Sequence, residues 1–132
     1  MRRSRAISVP IARPFDEVYA FLAEPSNFPK WGPVSDARMT LVGGRDYLVE
    51  VPRGQVVLRF IEPNSHGVLD YWVFAPGTVP GPATSVRLVP NGEGCEFVIL
   101  WLQREGDDDV KFESEVDWLI ADLGVLRSLL ES

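Results

Sequence analysis

The chain has a single cysteine, a single histidine and two methionines among its 132 residues. One cysteine, Cys95, excludes an internal disulfide, and one histidine, His66, argues against a structural zinc or a histidine-rich metal site. No apolar run is long enough to span a bilayer as a helix, which takes about 20 residues. Basic residues are also in deficit. Against 19 Asp and Glu there are 13 Lys and Arg, and the net charge of −6 disfavours a nucleic-acid backbone or an anionic membrane as partner. The only basic cluster, Arg2, Arg3 and Arg5, reads as a solvated terminus rather than a targeting signal, because Pro10, Arg13 and Pro14 interrupt the apolar residues after it. Nucleophile and base pairs, phosphate-cradling glycine loops and metal-ligand spacings are missing as well. Gly43-Gly44 and Gly92-x-Gly94 are turns, not nucleotide fingerprints. Together these absences predict a cytoplasmic protein with no cofactor, no metal, no nucleic-acid partner and no membrane insertion.

What is present is an ordinary globular composition, 45% hydrophobic and 24% charged, which argues against disorder, and a length that predicts one domain over residues 1–132. The stretch that organises the rest is the last, Asp107 to Ser132. Phe112, Val116, Leu119, Ile120, Leu123, Leu126, Leu129 and Leu130 recur at three- and four-residue steps, so a helix places them on one stripe. Asp107, Asp108 and Asp109 fall at its first turn, where negative charge meets unpaired amides and the positive end of the dipole. Capping explains them at less cost than a metal cluster. From Phe112 to Leu130 the helix runs roughly 27 Å at about 1.5 Å per residue, and it needs a broad apolar partner.

Upstream, Ile7, Val9 and Ile11 alternate along a first strand, with Pro10 marking an edge or a bulge. Pro14 opens a helix whose buried face is Phe15, Val18, Phe21 and Leu22, and Pro25 ends it. Ser26 caps a short turn leading to Phe28 and Trp31, confined by Pro29, Gly32 and Pro33. Six strands follow: Asp36 to Val42, Arg45 to Val51, Gln55 to Glu62, Val68 to Phe74, Ala83 to Val89 and Cys95 to Gln103, with a Pro-rich loop at Ala75 to Pro82. The order is β, α, short α, six β, α, an α+β arrangement in which one curved sheet wraps the long C-terminal helix.

Three stretches resemble a known superfamily. They are Ile7 to Pro14 with Asp16 to Leu22, then Pro25-Ser26-Asn27-Phe28-Pro29-Lys30-Trp31, and the later Leu69 to Val73 and Val89 to Gly94. This pattern looks like the START-like, helix-grip (SRPBCC) superfamily of polyketide cyclases, plant allergens and lipid-transfer domains, and within it a bacterial polyketide cyclase-like subgroup. The resemblance covers essentially the whole chain and implies an antiparallel helix-grip sheet of about seven strands. It also implies a small, mostly apolar or aromatic ligand held between sheet and helix. The short strands and Pro-rich loop imply a smaller cavity than in many relatives.

Strand alternation sorts the residues that would meet such a ligand. Val56, Leu58 and Phe60 point inward, as do Met39, Leu41, Tyr47, Val49 and Val51, while Gln55, Val57, Arg59 and Ile61 share the other face. The strand Val68 to Phe74 has two readings. If Asp70, Trp72 and Phe74 face inward, Asp70 is a buried carboxylate with a raised pKa and a candidate acid or base; if they face outward, Asp70 pairs with Arg59 or Arg87. Tyr47, Tyr71 and Arg87 offer orienting hydrogen bonds, and Phe60, Trp72, Trp101 and Trp118 offer aromatic walls, with Trp31 and Trp118 placed at the mouth. His66 sits in an exposed turn, and the acids beside Cys95 discourage thiolate chemistry. Two other functions fit the same pattern. One is a cyclase or aromatase in which Asp70 and a tyrosine manage protons. The other is a protein-interaction module with a filled core, for which a homodimer is the simplest form.

Overall fold

Alternation of apolar and polar residues produces two antiparallel ladders. The computed structural model describes residues 1–32, 38–52 and 54–132. It contains β1 (Ser4–Ile11), α1 (Phe15–Ala23), a 3-10 helix (Pro25–Lys30), β2 (Met39–Gly43), β3 (Asp46–Val51), β4 (Gly54–Phe60), β5 (Tyr71–Phe74), β6 (Ser85–Asn91), β7 (Gly94–Leu102) and α2 (Asp109–Glu131). The expected order holds. Of the expected features, Pro33, the start of the second strand at Asp36 and Ala37, and Arg53 in the following turn lie outside the described residues.

The strands pair in the orders β1-β7-β6 and β2-β3-β4-β5. A seam between β5 and β6 joins the two ladders into one curved sheet. Across it Leu69 N–H donates to the Val86 carbonyl at 3.0 Å, Leu88 N–H to Gly67 at 2.8 Å and Thr84 N–H to Tyr71 at 2.8 Å. The seam is irregular for a local reason. The Asn64 side chain accepts from the His66 and Val68 amides and donates to the Val68 carbonyl, which folds residues 64–68 into a loop rather than a strand. Gly67 takes φ of 70° there, and its backbone lies directly on the Leu88 carbonyl.

α2 lies along β1 and is tied to it at both ends. Near its start, Glu113 accepts from Arg3 at 2.7 Å and pairs with Arg5 at 3.4 Å. Near its end, Glu131 accepts from the Ala12 amide at 2.8 Å, and Arg13 donates to the Leu130 carbonyl at 2.8 Å. Asp108 caps the first turn, accepting from Lys111 N–H at 2.8 Å, as the acidic run predicts. The Arg-rich terminus is thus partly corrected: Arg3 and Arg5 are half-exposed, but they hold the helix rather than only meeting solvent.

Ile7, Ile11, Val86, Leu88, Phe97 and Ile99 from the sheet and Phe112, Val116, Leu119, Leu123 and Leu126 from α2 form the main core, with Val18 of α1 against them. A smaller cluster of Phe28, Val49 and Leu58 sits on the other half of the sheet. The predicted stripe on α2 is narrower than expected. Ile120 and Leu129 are exposed, because at about 100° per residue they lie roughly 80–100° to either side of the Phe112 line, past the reach of the β1-β7-β6 half. Replacing Gly67 with alanine should destabilise the fold by at least about 1 kcal/mol, since the new Cβ meets the Leu88 carbonyl at a positive φ. Urea melts monitored by circular dichroism would measure this, and an unchanged midpoint would show that the seam can shift.

Candidate functional site

Because α2 is held over β1, β7 and β6, the concave face of β3, β4 and β5 meets the 3-10 helix instead. The register sets which residues reach that face. Tyr47 lies opposite Leu58 and Leu58 opposite Val73, while Phe60 lies opposite Tyr71. Tyr71 in turn bridges to Thr84, the residue before β6. The face so formed is almost wholly apolar.

Two connected spaces open there. The inner one is a narrow cleft of about 40 Å³, with Leu22, Phe28 and Trp31 on one side, Phe60, Leu69 and Tyr71 on another, and Leu119 of α2 closing it. The outer one, about 210 Å³, is walled by Val49, Val51, Val56, Leu58 and Val73, with Trp101 and Arg104 at its far end. Phe28 and Tyr71 belong to both and stand between them, with ring centroids 6.2 Å apart. Phe28 also meets Phe60 edge-on at 5.8 Å and Trp31 at 5.4 Å, and Trp31 meets Phe97 at 6.1 Å. This array favours offset or edge-on contact with another aromatic ring. A larger depression of about 470 Å³ follows the joint of α2 and β1, but it is rimmed by Arg5, Ser8 and Arg127 and lies away from the concave face.

Burial pushes the Tyr71 hydroxyl pKa up, offset in part by the Thr84 hydroxyl and the Arg104 charge, so the phenol stays protonated and a donor at neutral pH. Burial likewise raises the Asp122 carboxyl on α2, whose charge also reaches Tyr71. Among the buried polar atoms with no partner among the described residues are Trp101 Nε1, in the wall of the outer space, and Glu115 Oε1 on α2. Burial, and secondarily Glu96, raises the Cys95 thiol, in keeping with a plain strand residue.

The structure settles the two readings of the fifth strand. Tyr71 faces inward, so Asp70 and Trp72 do not. Trp72 lies opposite Arg59 on the convex face, where Arg59 also pairs with Asp46 at 2.7 Å and stacks on Phe74. Asp70 is half-buried in the seam, and its carboxylate accepts the Val86 amide at 2.9 Å rather than pairing with Arg59 or Arg87. That amide faces the irregular stretch of the seam, and the carboxylate does there what a strand carbonyl would otherwise do. Arg87 is exposed and donates to the His66 carbonyl at 2.9 Å. Trp118 is 68% exposed on α2 instead of at a cavity mouth, and Leu41, expected inward, lies opposite Tyr47 on that face but is exposed, because β2 is an edge strand. Of the other candidates, Phe60 and Tyr71 line the inner cleft, Tyr71 and Trp101 line the outer space, and Tyr47 meets Phe60 at 5.8 Å.

The sequence reading left Phe28, Leu119 and Arg104 out of the site. The short turn that carries Phe28 beside Trp31 was a usable signal. Arg104 lies past the end of β7, where strand alternation says nothing.

A curved antiparallel sheet gripping a C-terminal helix, with an apolar space on its concave face, defines the helix-grip class. Residues 3–123 match the model of the family described as polyketide cyclase / dehydrase and lipid transport, and the chain belongs to that family. No protein of curated function matches the sequence. Among solved structures, an uncharacterised protein from Bacillus thuringiensis is similar at a TM-score of 0.75 and 16% identity, covering 98% of this chain and all of that one. The Aha1 protein of Colwellia psychrerythraea, solved as a dimer, is similar at 0.71 and 13%, over 98% of this chain and 96% of that one. A protein of the dynemicin biosynthetic locus is similar at 0.69 and 16%, over 98% of this chain and 47% of that one. Among the described residues, no helix is long and apolar enough to cross a membrane.

Asp122→Asn tests the electrostatics of this end of the cleft. A raised folded-state pKa means that the ionised carboxylate costs stability at neutral pH, and that the cost disappears as pH falls through the folded pKa to below the unfolded value of 3.8. The variant should therefore melt above the parent at pH 7 and together with it near pH 3. Equal melting temperatures at pH 7 would contradict the burial.

Proposed function

We propose that this protein binds a small, flat, mostly apolar molecule on the concave face of the sheet. The observation that carries the reading is the outer space, about 210 Å³, walled by side chains of three strands and left uncovered by α2. The inner cleft, with room for one or two water molecules, is too narrow to take the ligand unless Phe28 and Tyr71 move apart. A bicyclic aromatic that buries about 200 Å² there gains about 5 kcal/mol at about 25 cal/mol per Å², which by itself corresponds to a Kd of about 0.2 mM. Edge-on contact with Phe28 and a hydrogen bond from Tyr71 would tighten and orient it.

Both polyketide cyclization and lipid transport, the activities in the family's description, act on molecules of this apolar kind. Binding without turnover fits the geometry better than a cyclase. Asp70, the proposed proton carrier, is engaged with the Val86 amide, and among the described residues no carboxylate lines either space. Thermal-shift and calorimetric titration with aromatic compounds test this reading. A hit should raise Tm with concentration, and Val73→Trp, which fills the outer space from a 44% exposed position, should weaken it about tenfold or more while leaving the fold intact. A variant that binds as well as the parent would place the ligand elsewhere.

A second reading has its own observation. Trp118, Val125 and Leu129 are exposed at steps of seven and four along α2, an apolar stripe suited to a second copy of the chain. The Colwellia relative is a dimer. Light scattering should then give a dimer mass that Trp118→Glu returns to that of the monomer; a parent that is monomeric at high micromolar concentration would rule this out.

A further inference from the structure

Among the described residues, the polar side chains that line the far end of the outer space are a donor, Trp101, and a cation, Arg104. Arg104 places its guanidinium 5.4 Å over the Trp101 ring, and among the described residues it makes no ion pair, in a chain whose acids outnumber its bases by 19 to 13. The indole N–H of Trp101 is buried and has no acceptor among the described residues. A buried donor left unpaired is costly and calls for a partner. Val73, Trp101 and Arg104 also line a second, polar groove of about 250 Å³, where Arg2, Thr84 and Ser85 join them. The apolar space and this groove therefore share Val73, Trp101 and Arg104, and among the described residues no carboxylate lines either of them.

Resting on the binding reading above, we infer that the ligand is amphipathic: an aromatic or alicyclic body in the apolar space and an acidic head, a carboxylate or its like, at Arg104. Guanidinium and carboxylate form the stronger class of hydrogen bond, and Arg2 adds a second cation from the groove. The indole N–H of Trp101 supplies a neutral donor to the same head. The net charge of −6 makes this local reversal of sign a source of selectivity, since an anion meets repulsion over most of the surface and attraction at Arg104. Glu115 on α2 holds a buried oxygen that is also unpartnered, and a competing role for Trp101 is to serve that oxygen. The experiment separates the two.

Naphthoate and its neutral analogue naphthamide, titrated calorimetrically into the full chain at low and high salt, read the head group directly. Naphthoate should bind about tenfold or more tightly, with the advantage shrinking as salt rises. Arg104→Gln, a change of an exposed side chain, should remove most of that preference by weakening naphthoate far more than naphthamide. Trp101→Phe should reduce the preference by a smaller factor. If the two compounds bind equally, or if Arg104→Gln keeps the preference, the acidic head is wrong while binding of an apolar body stands. A Trp101→Phe variant that lowers Tm without changing the preference assigns the indole to Glu115 and removes it from the site. If neither compound binds, the binding reading and this inference fall together.

Discussion

The position of α2 along β1 is the constraint on which the rest of the structure depends. From Arg3 to Ala12 an extended chain covers about 30 Å, and from Glu113 to Glu131 a helix covers about 27 Å. The two lengths match, so one strand and one helix can be tied at both ends, by Arg3 and Arg5 to Glu113 and by Ala12 and Arg13 to Glu131 and Leu130. Half-exposed ion pairs contribute little each, and most of the stability of the joint comes from the apolar residues between the ties. Their role is to set position. With both ends fixed, α2 cannot slide across the sheet, and Leu123 and Leu126 stay over Ile7, Ile11 and their neighbours.

The helix held at one side leaves the other half of the sheet to the 3-10 helix, which delivers one large ring, Phe28, and a second, Trp31, at its end. Two rings cannot cover what a long helix could. The space over Val49, Val56, Leu58 and Val73 follows from that shortfall rather than from any one residue that carves it. The same geometry explains why the outer space ends in Trp101 and Arg104. Trp101 lies near the end of β7 and Arg104 just beyond it, on the way to α2. Chemistry at this site is accordingly sparse: apolar walls, one protonated phenol, one indole and one guanidinium.

The seam between β5 and β6 separates what strand alternation can say from what it cannot. Alternation in β4 placed Val56, Leu58 and Phe60 on the concave face correctly, because that strand is flanked on both sides and its ladder runs without a bulge. It left the strand through Asp70 and Tyr71 open, because polar and aromatic residues fall on both of its faces. The choice came from register. Phe60 lies opposite Tyr71, and Asp70 is thereby turned into the seam to take the Val86 amide. Similarly, a stripe of eight apolar residues on α2 marks a helix, but the number that are buried depends on the width of the surface facing it.

The order of elements, the capped start of α2, the Gly43-Gly44 turn and the identity of the inward rows on β3 and β4 were determined by the sequence alone, since periodicity, caps and turns are local properties of neighbouring residues. The resemblance carried in the opening strand and the Pro25 to Trp31 turn reached the family, as local motifs of the same kind. Tertiary structure alone decided that Phe28 and Tyr71 stand between two spaces, that Trp118 faces outward, and that Arg104 and Arg2 line one groove with Trp101. Those relations join residues from opposite ends of the chain. Their distances follow from sheet curvature and helix placement, which no short window of sequence encodes.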